Sequence, residues 1–178
     1  GSPLQLVLAG VYHADVPPGN VPYSSLAALR ANPKIASAIP LAMGDSYRGF
    51  RIVGTEPALV EHYGATLASG AMFDQPMQAV IGSEVARATG FAVGAAFAGA
   101  HGLAEGGGEH AAEAYEVVGV LAPTGGVVDR LVLTPVASVW DVHDVHHREG
   151  DGAANAKGAG APAADGRGHA IAPGAHAK

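Results

Sequence analysis

The sequence predicts an α+β fold, a small domain of short mixed strands and helices. Three observations lead there. Apolar residues make up 48% of the 178-residue chain, enough for a packed core. Gly and Pro are abundant, at 26 and 12, so elements are short and turns frequent. Strand-like apolar runs are separated by short capped, helix-like stretches, with no fixed repeat.

Each element follows from local signals. Leu4 to Ala9 reads as a strand, ended by the turn chemistry of Pro17-Pro18-Gly19-Asn20. Ser24 or Ser25 caps a short helix carrying Leu26 and Leu29, closed at Asn32-Pro33. Ile35 to Met43 is apolar enough for a buried strand, Gly44-Asp45 turns, and Phe50 to Gly54 returns antiparallel to it. Thr55 caps a helix with Pro57 near its start and Leu59 and Tyr63 on one face, stopped by Gly64.

Ala79 to Gly82 is a further short strand. Ser83 caps a helix to about Thr89, closed by Gly90. Ala95 to Ala98 and Tyr115 to Leu121 pair around a loop rich in glycine. Pro123 to Gly126 turns, Leu131 to Thr134 is a strand, and Thr134-Pro135 opens a helix to about His147. Residues 1–148 thus form the folded core. Residues 149–178 hold 7 Gly and 11 Ala, with Ile171 the single large aliphatic. Such a tail buries too little to offset its ordering entropy, so it reads as a disordered linker.

Composition also excludes functions. With no cysteine there is no disulfide framework, Cys-ligated zinc or thiol nucleophile. A net charge of −6 with scattered Lys and Arg gives no nucleic-acid footprint. The best apolar run, Pro3 to Tyr12, is about half of the ~20 residues a membrane-spanning helix needs. No phosphate-binding Gly-x-x-x-x-Gly-Lys-Ser/Thr occurs, so ATP hydrolysis lies elsewhere. Gly82-Ser83-Glu84 does not complete a nucleophile elbow, and Ser83 reads as a helix cap.

Histidine carries the clearest chemical signal. His143, His146 and His147 stand at i, i+3 and i+4, on one face if helical. Imidazoles so placed can share a zinc or copper ion, with Asp144 at the edge. His101, His110, His169 and His176 are candidates to complete the shell. The competing reading is a solvated helix end whose histidines suit the negative end of the dipole. The glutamate of His-Glu-x-x-His is missing, so no metallohydrolase is expected. Glu105, Glu109 and Glu113 read as a solvated acidic loop, and Asp129-Arg130 as a solvated turn, an ion pair or a partner contact. Tyr12-His13 beside Asp15 reads as packing or surface.

Four linked motifs carry a resemblance. They are "ALRANPKIASAIP" from Ala28, "FRIVGTEPALVEHYGATLASGAMF" from Phe50, "AVIGSEVARATGFAVGAAF" from Ala79, and "YEVVGVLAPTG" from Tyr115 followed by "DRLVLTPVASVW" from Asp129. In this order and spacing, over Tyr23 to Trp140, the chain resembles the extracytoplasmic domain of ABC-transporter permeases of the MacB, FtsX and LolE type. The resemblance implies a porter-like β-α-β lobe with a smaller lobe inserted. It implies a periplasmic location and a dimeric permease in the inner membrane. It also implies a separate cytoplasmic ATPase subunit, a periplasmic partner protein or a lipid-linked or peptide cargo, and no catalysis or cofactor in this domain. The strand and helix that return to the first lobe in the family have no counterpart here, where the Gly/Ala-rich tail stands. A zinc-binding module of a metal-related transporter is the alternative.

Overall fold

A computed structural model describes residues 2–15, 17, 19–101 and 114–140. The chain divides into Gly1–Val145 and His146–Lys178, and the second unit lies outside the described residues.

Among the described residues, eight strands form one sheet. They are β1 (Ala42–Tyr47), β2 (Phe50–Thr55), β3 (Leu67–Gly70), β4 (Gln78–Ile81), β5 (Ala96–Ala98), β6 (Ala100–His101), β7 (Ala114–Leu121) and β8 (Leu131–Pro135). Their order is β3-β7-β4-β8-β2-β1-β6, and β5 pairs with β7. Two parallel pairs, β2 with β8 and β4 with β7, are joined by the antiparallel pair β4 with β8. The α+β class expected from sequence holds.

Both faces of the sheet are covered, which explains why its central strands read as continuous apolar runs. Side chains alternate along each strand. Ile52 is joined on one face by Ala79, Ile81, Val117 and Val132, packed with Val85 of α4 (Ser83–Thr89). Val53, Val80, Leu131 and Leu133 point to the other, against Leu59 and Val60 of α3 (Ala58–His62). Phe97 stacks on Tyr115 with ring centroids 5.4 Å apart and closes the first cluster with Phe50.

Several local expectations change. Leu4 to Ala9 is not a strand but part of helix α1 (Pro3–Gly10). Ser2 Oγ accepts from the Gln5 N–H at 3.2 Å and Pro3 opens the first turn, a start signal that outweighs a short apolar run. Helix α2 (Ser25–Arg30) forms as expected, with Ser24 at its N-cap position. The strand expected over Ile35 to Met43 starts only at Ala42, and Gly44-Asp45 lies inside β1 at a register irregularity. The turn is Arg48-Gly49, both with positive φ, between the paired residues Tyr47 and Phe50. Two left-handed residues match the twist of a tight hairpin.

Thr55 does not cap α3. It ends β2, and its hydroxyl donates to the Pro40 carbonyl at 2.8 Å. Ser83 is the first residue of α4 rather than its cap, a position held by Gly82, and Gly90 closes the helix at φ 74°. Strands β3 and β6 went unforeseen because they are short and poor in β-branched residues. Helix α5 spans 136–140 among the described residues. It packs so closely on β2 that a Cβ at Gly54 would lie 2.8 Å from Val139 Cγ2.

Candidate functional site

The candidate site is the junction between α1 and the sheet. Helix α1 exposes most of its large apolar side chains, Leu4 at 67% with Leu6 and Val7 also open, and Val11 and Tyr12, the latter at 59%, are exposed just beyond its end. Of its residues only Ala9 is buried. A helix apolar around most of its circumference belongs against lipid or other helices.

The segment after α1 is fixed to the domain by a buried clasp. Arg51, on β2, donates from Nε to the His13 carbonyl at 2.7 Å. His13 Nε2 lies 2.8 Å from the Tyr63 hydroxyl, just past α3, and that hydroxyl donates onward to the Val11 carbonyl at 3.4 Å. His13 holds φ at 50°, a costly conformation for a side-chain-bearing residue. It is 4% exposed and Arg51 is 6% exposed. Burial first, and the Arg51 charge second, push the His13 pKa below its ordinary value. Burial raises that of Tyr63, so its hydroxyl stays protonated. This arrangement ties the segment behind α1 to β2 and to the end of α3.

A second surface lies on α2 and α5. Tyr23 and Trp140 meet edge to face at 5.0 Å, both about half exposed. Arg30 pairs with Glu56 and also donates to the Ala38 carbonyl, so the α2 loop is tied to the start of α3.

The histidines singled out as metal ligands, His143, His146 and His147, lie outside the described residues, as do Asp144, His110, His169, His176 and the acidic residues Glu105, Glu109 and Glu113. His101 falls on β6. Among the described residues, no group of three His, Asp or Glu side chains is placed to hold a metal ion. Asp129 is not on a solvated turn. Its buried carboxylate accepts from the N–H and hydroxyl of Thr124 and the N–H of Gly125. Arg130 instead lies over the Phe50 ring, 5.3 Å from its centroid. The importance of His13 was not legible in sequence, because Arg51 and Tyr63 are 38 and 50 residues away along the chain.

The described residues thus form an α+β domain with an exposed apolar helix beside its sheet. The chain belongs to the MacB-like periplasmic core domain family, whose profile matches residues 4–163. It is thus a MacB-like periplasmic core domain, extracytoplasmic in location. Its fold is similar to the periplasmic region of MacB from Actinobacillus actinomycetemcomitans, at 14% identity and a TM-score of 0.50. That match covers 67% of this chain and 57% of the other, so this chain spans little more than half of that region. The extracellular domain of the noncanonic ABC-type transporter YknZ from Gram-positive bacteria is matched at 14% identity and a TM-score of 0.46, over 76% of this chain and 69% of that one. No curated protein matches the chain. No helix among the described residues is long and apolar enough to cross a membrane.

Proposed function

We propose that this domain is the mechanical part of its permease outside the membrane, without catalysis or a cofactor of its own. ATP hydrolysis by a separate cytoplasmic subunit moves the membrane helices, and the domain passes that movement to a partner protein or to a lipid-linked or peptide cargo. The observation that carries this reading is the junction: α1 leaves its apolar side chains uncovered, while the residues just after it are clamped to β2 and α3. The residues of α1 cover ~12 Å along the helix axis, and their uncovered apolar side chains suit contact with the bilayer or with the permease's own helices. A rigid tie to the sheet turns displacement of that helix into displacement of the domain.

The test is a nitroxide at Leu6 in the intact permease in bilayers, compared with one at the exposed Arg87. Preferential collision of the Leu6 label with oxygen over a water-soluble nickel chelate supports the membrane-side placement. Equal behaviour of the two labels contradicts it.

A second reading, a transition-metal site in the same transporter, rests on the spacing of His143, His146 and His147.

A further inference from the structure

We propose that His13 is a pH-sensitive latch: neutral, it holds the segment behind α1 onto the sheet, and protonated, it lets that segment go. The inference goes beyond the transporter reading and does not depend on it.

The hydrogen bonds of the clasp suit the neutral ring. With its proton on Nε2, His13 donates to the Tyr63 hydroxyl, which is then free to donate to the Val11 carbonyl. Nδ1 is buried with no hydrogen-bond partner among the described residues. As a bare lone pair it is a tolerable loss. As an N–H it would be a buried donor facing no acceptor, and the ring would carry a charge.

The charged neighbour has the wrong sign for a protonated ring. Arg51 on β2 binds the carbonyl of this same residue and disfavours a second positive charge. From the end of α3 the facing group is Tyr63, with the His62 ring 5.6 Å beyond it. Asp15 lies two residues further along the same segment. Protonation therefore sets two cations and an unpaired donor in one buried place, on a residue already held at positive φ.

The sign of the linkage follows. The folded-state pKa is below the unperturbed 6.5, so the released segment binds the proton more readily. The latch is at full strength above that value and is lost as pH falls through the folded-state pKa.

The experiment is amide exchange on the chain, corrected for intrinsic rates, between about pH 7.5 and 5, the range of histidine titration. Two amides report on the segment: Tyr12, which donates to the Val7 carbonyl, and Ala14, which donates to the Leu8 carbonyl. Their protection is expected to fall by up to about tenfold per pH unit between the unperturbed value of 6.5 and the folded-state pKa, and to level off below it. Val80 and Leu133, paired in the centre of the sheet, should keep theirs. The His13→Gln variant retains an N–H donor but cannot take up a proton, so its profile should be flat. Constant protection of Tyr12 and Ala14 in the natural chain overturns the latch. So does an equal fall in His13→Gln, or a loss shared by Val80 and Leu133.

Discussion

Arg51 on β2 donates its Nε–H to the carbonyl of His13, 38 residues earlier, and both residues are buried. This bond joins the segment behind the apolar helix to a central strand. Replacing Arg51 by Met keeps most of the aliphatic stem and removes the donor. The His13 carbonyl is then left without it, at a cost of about 1–3 kcal/mol. Urea unfolding of Arg51→Met should show that loss as a lower midpoint with an unchanged slope.

Backbone closeness makes two glycines indispensable and a third replaceable. A Cβ at Gly82 would lie 2.3 Å from the Asp129 carbonyl oxygen, and one at Gly119 would lie 2.4 Å from that of Ala71. Backbone cannot yield as a side-chain tip does, so Gly82→Ala and Gly119→Ala should each destabilise by at least the ~1–3 kcal/mol of overpacking. Gly10, the last residue of α1, has nothing within 4 Å of its would-be Cβ and no positive φ. Gly10→Ala should be neutral or stabilise by up to ~1 kcal/mol. Thermal melts of the three variants check the contrast.

Asp129 sets a second, more acidic transition. Burial raises its pKa, but the bonds from Thr124, Gly125 and Ser83 outweigh that and hold it below the usual carboxylate value. A lowered folded-state pKa means stability that is present above 3.8 and lost as pH falls through the folded value. Asp129→Asn should remove that part of the acid dependence and cost about 1.5–3 kcal/mol at neutral pH, the worth of hydrogen bonds to a charged group. Stability measured from about pH 7 down to about pH 3 separates the natural chain from the variant.

The zinc reading makes a clean demand. Calorimetric titration of the chain with zinc should show binding that is abolished when His143 and His147 are both replaced by Ala. Undiminished binding in the double variant removes these residues from the account.

Much of the fold was legible because its signals are local. The Ile81-Gly82-Ser83 strand-to-helix step, the Gly90 stop and the β5–β7 pairing all follow from caps, glycines and apolar runs. Helix α1 was misread since the short apolar run Leu6 to Ala9 fits a strand or a helix equally, and the Ser2-Pro3 start decides. The β1–β2 turn was displaced because Gly44-Asp45 is a stronger turn signal than Arg48-Gly49, yet the pairing of Tyr47 with Phe50 fixes the register. The clasp was out of reach. His13, Arg51 and Tyr63 come together only once β2 and α3 have packed, and no spacing in the chain announces it.

The central claim is that movement of the membrane helices enters the domain through α1 and its clasp. The most direct measurement is hydrogen exchange of residues 3–15 in the intact permease with its ATPase, nucleotide-free and then trapped with ATP. The account predicts that protection of this segment changes with nucleotide state, and that Arg51→Met abolishes the change while ATP hydrolysis continues. Identical exchange in the two states would contradict it.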